Sequence, residues 1–158
     1  MLTENRIVDL VCDQLELDGL TISQKLDTTQ TGIDIVAVSE TGKKYFVEAK
    51  GATSSKESTK RYGQEFNKSQ VKTHIGMALV AAFKVREDNP DHESVIALPN
   101  NLSHKELIES MATPIRSSGI KVWLVDEERV ATRGIFTMRW FFVFMVVCGG
   151  FCIALLTP

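Results

Sequence analysis

From Thr3 to Gly19 the apolar side chains Ile7, Val8, Val11 and Leu15 recur at helical spacing behind Thr3, a capping residue. One amphipathic helix is expected there, stopped by Gly19. The period then changes. Thr21 to Leu26 reads as a short strand, and Ile33 to Val38 and Lys44 to Ala49 are two β-branched-rich runs joined by Glu40-Thr41-Gly42. Those two runs predict a hairpin. Gly51 to Lys60 is polar without an apolar anchor and is expected to be a mobile loop. Tyr62 to Phe83 reads as one long or interrupted helix, and its second half, Ile75 to Phe83, is apolar nearly all round and expected to be buried. Ser94 to Leu98 is a strand ended by Pro99. Ser103 and Glu106 form a capping box with Leu102 and Leu107 as its staple, opening a helix that runs to about Arg116. Gly119 then precedes a last strand, Ile120 to Val125.

This order predicts an α/β fold: a mixed central sheet containing an antiparallel hairpin and flanked by helices. Both faces of the hairpin strands are largely apolar, which suits a sheet covered on both sides. A chain of 158 residues with 44% hydrophobic and 24% charged side chains fits one folded domain and excludes wholesale disorder. That domain is expected over residues 1–128, followed by a basic linker over 129–139 with Arg129, Arg133 and Arg139. Trp140 to Leu156 contains no charged residue. Its 17 residues span about 26 Å as a helix, so 140–158 is expected to be a carboxy-terminal transmembrane tail. Basic residues precede the tail and none follows, which places the domain on the cytoplasmic side of the membrane. No apolar stretch follows the start, so no cleaved signal is expected. The three cysteines (Cys12, Cys148, Cys152) cannot build a disulfide framework or a zinc cluster.

The net charge of -2 hides an uneven distribution. Residues 1–42 carry two basic and eight acidic side chains, residues 43–86 ten basic and three acidic, and residues 87–158 six basic and nine acidic. The central block is a candidate phosphate-binding surface. Its basic residues around the polar loop and the next helix, Lys56, Lys60, Arg61, Lys68 and Lys72, are the candidate nucleic-acid contacts.

Asp34 lies in the first hairpin strand, and Glu48-Ala49-Lys50 closes the second. Side chains two apart in a strand share a face, so Glu48 and Lys50 point the same way. Charged groups on a buried strand are costly unless compensated. A hard divalent cation would relieve that cost, held by Asp34, Glu48 and the backbone carbonyl of Ala49. Such an ion polarises a phosphoryl group, while Lys50 can orient a water or steady developing charge. Hairpin register decides whether this works. A two-residue loop would put Asp34 opposite Ala49 and the two carboxylates on opposite faces. A three-residue loop, Glu40 to Gly42, puts Asp34 opposite Glu48 and Ser39 opposite Lys43, with Gly42 at the left-handed position. The second register, or a bulge with the same effect, is the one expected.

These residues resemble the PD-(D/E)xK nuclease superfamily. Its core is a helix, a three-stranded antiparallel meander, a helix and a further strand. Asp34 takes the place of the family's aspartate, preceded by Gly32-Ile33 where the family name has proline, and Glu48-Ala49-Lys50 is the second half-motif. Gln70-Val71-Lys72-Thr73-His74 is similar to a polar motif that some members carry on the following helix. Glu4 matches an acidic residue of the first helix. The resemblance covers roughly residues 2 to 126. It implies a restriction-endonuclease-like fold and Mg²⁺- or Mn²⁺-dependent hydrolysis of phosphodiester bonds, with DNA ahead of RNA as the substrate. Asp34, Glu48, Lys50 and Gln70 would be catalytic, and Glu4 and His74 supporting residues. A homodimer is compatible with this reading. The alternative is a catalytically inactive relative that binds nucleic acid or acts as a membrane-tethered interaction module.

Overall fold

Thr3 caps the first helix, α1 (Glu4–Leu17), by accepting a hydrogen bond from the Arg6 amide, and Ile7, Val8, Val11, Cys12 and Leu15 form its buried stripe. The computed structural model describes residues 1–55, 58, 62–127 and 130–131. After α1 come β1 (Thr21–Lys25), β2 (Ile35–Val38) and β3 (Lys44–Ala49), an antiparallel meander. The second helix, α2 (Lys68–Asp88), leads to β4 (Glu93–Pro99). Two short helices, α3 (Leu102–Ser110) and α4 (Ala112–Ser117), lead to β5 (Ile120–Val125) and a final two-residue β6 (Val130–Ala131). The six strands among the described residues lie in chain order, with β3, β4 and β5 parallel and β6 antiparallel to β5.

Alternation along the strands divides the core into two layers. Val47, Ala49, Val95, Ala97, Trp123 and Val125 pack with α1 on one side. Ile96, Leu98, Ile120, Val122 and Leu124 pack with Val71, Ile75, Ala78 and Ala82 of α2 and with Ile108 and Ile115 of α3 and α4 on the other. The mixed sheet between helices is therefore the architecture that the patterning predicts.

Several boundaries differ from expectation. Helix α2 starts at Lys68, because Asn67 and Gln70 close a reciprocal capping box there, and it continues past Phe83 to Asp88. Its second half is not buried all round: Met77 is 61%, Val80 71% and Phe83 48% exposed. One helix face suffices to cover the sheet, so the opposite face is left outside. The start of the polar segment is anchored after all. Gly51, Ala52 and Thr53 are buried, and the Ala52 amide bonds the Leu2 carbonyl at 2.8 Å. The third helix is capped by Asn101 in place of Ser103, and Leu102 is exposed, so no staple forms. The helix also breaks at Met111, because Pro114 has no N–H to give to the Ser110 carbonyl and is accommodated in the first turn of a new helix, α4. Strand β6 was not expected. Among the described residues no helix is long and apolar enough to cross a membrane. The predicted tail over 140–158 lies outside the described residues, as do Lys56, Lys60 and Arg61.

Candidate active site

The β2–β3 turn settles the register. Ile35 pairs with Val47 and Val38 with Lys44, and the Ser39 amide bonds the Lys43 carbonyl at 2.9 Å. Gly42 has φ +81°, the left-handed conformation that a three-residue loop demands of its last residue. Continued by one position, this pairing sets Asp34 across from Glu48. Asp34 sits just before the first residue of β2, and Glu48 is on the α2 side of β3, between the α1-facing Val47 and Ala49.

The side chains converge at the carboxyl end of β3. The Asp34 carboxylate accepts a hydrogen bond from the Ala49 amide at 2.7 Å. The Lys50 ammonium donates to Glu48 Oε1 at 2.8 Å and to the Ala49 carbonyl at 2.7 Å, and lies 3.6 Å from a carboxylate oxygen of Glu4. Lys50 is only 9% exposed. Glu4 arrives from the first turn of α1, which Gly51 allows to approach closely. A Cβ at Gly51 would lie 2.6 Å from the Glu4 backbone nitrogen, so any other residue would drive α1 away from β3.

Burial raises the pKa values of Asp34, Glu48 and Glu4 above their ordinary values; the Ala49 amide bonded to Asp34 and the attraction of Lys50 for all three only partly offset this. The charge of Asp34 pushes both glutamates up further. For Lys50, burial favours the neutral amine, but the hydrogen bond to Glu48 and the charges of Glu4, Glu48 and Asp34 win and raise its pKa. Three carboxyl groups thus share one ammonium. With all four ionised, two negative charges stay uncompensated among the described residues of this partly desolvated pocket, a charge deficit of the kind that a divalent cation removes. The donor set of two carboxylates and the Ala49 carbonyl consists of hard oxygens and fits Mg²⁺ or Mn²⁺. The Lys50 ammonium bonds two of those three donors, Glu48 and Ala49. Among the described residues no group of three His, Cys, Asp or Glu side chains is placed to hold a metal ion.

Helix α2 contributes its amino-terminal end. Gln70 Oε1 accepts from the Asn67 amide at 3.1 Å and so completes the capping box. His74, one turn on, packs edge-to-face against Phe66 with ring centroids 4.5 Å apart. Its Nδ1 is buried without a hydrogen-bond partner among the described residues. Burial and the charge of Lys50 lower its pKa and keep the ring neutral. Lys68 and Lys72 are exposed: Lys68 lies in the first turn of α2, whereas Lys72 lies toward the outward side, away from the core-facing Val71 and Ile75.

His104, which the sequence offered no role, is fully buried. Its Nδ1 donates to Asn101 Oδ1 at 2.7 Å, and Asn101 Nδ2 in turn reaches Glu65 Oε1 at 2.8 Å. Burial, with a contribution from His74, lowers its pKa to about 4. The spacing Asn101-x-x-His104 was the available signal, since a capping asparagine meets the residue three positions on. Gly51 was legible only as the residue after the half-motif.

No protein-family model matches the chain, and no curated protein matches it either. Among solved structures the chain is similar to an XisH family protein from Nostoc punctiforme. The TM-score is 0.47 and the identity 22%, over 80% of this chain and 94% of that one. The functional reading therefore rests on the site.

Proposed function

We propose that the chain is a metal-dependent nuclease that hydrolyses phosphodiester bonds in nucleic acid, with DNA as the first substrate to test. The observation that carries this reading is the half-buried cluster of Asp34, Glu48 and Glu4 around the buried Lys50 ammonium, short of positive charge by two among the described residues. The helix, meander, helix and strand order around it is the one that the resemblance to PD-(D/E)xK nucleases implies. Asp34, Glu48 and the Ala49 carbonyl would hold Mg²⁺ or Mn²⁺. When bound, the ion would polarise the phosphoryl group and lower the pKa of an attacking water. Lys50 would hold that water or neutralise charge on the phosphate, and Glu4 would tune the lysine. Gln70 and a neutral His74 would line the approach from α2. Lys68 would meet the phosphate backbone, a contact that fixes position without reading sequence. On its sequence alone, the charge-free run Trp140–Leu156 is a proposed membrane anchor for this domain.

One observation favours a second reading. The Lys50 ammonium already bonds Glu48 and Ala49, two of the three donors assigned to the ion, as a non-catalytic binding module would have it. Incubation of plasmid and of labelled single- and double-stranded oligonucleotides with the chain, in Mg²⁺ and in Mn²⁺, separates the two. Cleavage that falls at least about 100-fold in Glu48→Gln and Lys50→Met, with the far-ultraviolet circular dichroism unchanged, supports the enzyme. Binding without cleavage under either ion overturns it.

A further inference from the structure

The outward face of α2 is apolar where nothing in the described chain covers it. Met77, Val80 and Phe83 are all exposed, on the side of the helix opposite the buried Val71, Ile75, Ala78 and Ala82. Gly76 lies in the same stripe, and a Cβ there would meet nothing within 4 Å. Glycine in a helix interior is costlier than alanine, and no contact within the described chain explains it. A close approach from outside would.

We propose that this stripe is the interface of a two-fold symmetric dimer, in which α2 packs antiparallel against α2 of a second copy with Val80 on the dyad. An isologous interface requires a face complementary to itself, and this one is. With Val80 against Val80, helical geometry brings Phe83 over Gly76 of the other copy, where the missing side chain leaves room for the ring. Lys84 lays its aliphatic stem across Met77, and Glu87 meets Lys72. Neither Lys72 nor Glu87 has an ion-pair partner among the described residues, so the dimer supplies the countercharge that each lacks. A parallel pairing would instead set Glu87 beside Glu87 and Lys84 near Lys84, and would leave the two Lys72 side chains on opposite flanks without a countercharge. Charge and shape therefore select one orientation. Lys72 is thereby assigned to the interface, and this proposal is independent of the nuclease reading.

The test uses the full chain in a non-ionic detergent, by sedimentation equilibrium between about 1 and 100 µM. The wild type is expected to reach the mass of two chains. Val80→Asp, at a solvent-exposed position that leaves the fold intact by circular dichroism, is expected to stay monomeric. Lys72→Glu is expected to weaken association at least about 10-fold, and addition of Glu87→Lys in the same chain to restore it, because both copies then carry the exchanged pair. Val80→Cys, with Cys148 and Cys152 replaced by serine, is expected to cross-link two chains under mild oxidation. A wild-type chain that is monomeric at 100 µM, or a dimer that Val80→Asp leaves intact, overturns the proposal in favour of another occupant such as the chain's own apolar tail or a lipid surface. A double charge exchange as weak as the single one overturns the antiparallel register.

Discussion

Replacing Lys50 by methionine keeps the length of the side chain and removes its charge. In the wild type the ammonium has hydrogen bonds to Glu48 and Ala49 and faces Glu4, and Lys50 is itself only 9% exposed. Removing one partner from a buried ionic cluster costs about 3–5 kcal/mol, because the remaining charge stays buried. The carboxylates here keep some solvent contact, so the expected loss at pH 8 is about 3 kcal/mol, the lower end of that range. The sign of its pH dependence follows from the same geometry. Carboxyls whose folded pKa lies above the unfolded value bind more protons in the folded state, so stability falls as pH rises from the ordinary carboxylate range toward the folded pKa. Without Lys50 the carboxyl pKa values rise further and that window widens. The deficit of Lys50→Met is therefore largest at pH 8 and shrinks toward pH 5, where the carboxyls take up protons. If a divalent ion binds the cluster, Mg²⁺ at 100 times its dissociation constant returns about 2.7 kcal/mol. Urea unfolding of wild type and variant at pH 5 and pH 8, followed by tryptophan fluorescence with and without Mg²⁺, measures each quantity. A variant within about 0.5 kcal/mol of wild type at pH 8, the range of ordinary surface substitutions, would refute the reasoning. So would a deficit that is equal at both pH values.

Three further outcomes are expected. His104 has a folded pKa of about 4 against an ordinary 6.5, so it contributes stability above pH 6.5 that is lost as pH falls toward 4. Relative to His104→Asn, which keeps a donor for Asn101, the wild type should lose about 2 kcal/mol between pH 7 and pH 5, and a pH-independent difference in urea midpoints would contradict the assignment. Gly51→Ala should force α1 from β3 at about 1–3 kcal/mol, and nuclease activity should fall with stability because Glu4 moves; unchanged melting and activity would rule out the close approach as a constraint. Asn67→Ala should cost about 1 kcal/mol by opening the α2 cap, read as a lowered thermal midpoint.

The parts of the molecule that the sequence made legible are those where one local rule dominates. The stripe of α1, the period-two runs of β2 and β3 and the glycine at the end of their turn each specify one arrangement, and register then follows from loop length. What stayed hidden depends on contacts distant in sequence. Nothing local shows that Met77, Val80 and Phe83 face outward, because an apolar helix reads the same whether one or both of its sides are covered. The burial of His104 is set by α2 packing over α3. The meeting of Glu4 with Lys50 depends on a glycine lacking a side chain at the point where the chain's start crosses the end of β3. Of the cluster, Asp34, Glu48 and Lys50 were readable from the strands. Their shared shortage of positive charge was not, since it arises only when burial removes the water around them.

The turn at Glu40–Gly42 carries a parity. Asp34 lies about 17 Å from Ser39 along an extended strand, too far for the turn to touch the cluster, yet the number of residues in the turn decides on which side of the sheet that carboxylate emerges. Deleting one of the three would leave every acidic and basic group of the cluster in the chain and turn Asp34 over toward α1. The same flip would take the buried Ile35 and Ala37 out of the α1-side core, so a single indel that alters no charged group of the cluster would dismantle the cluster and its support together.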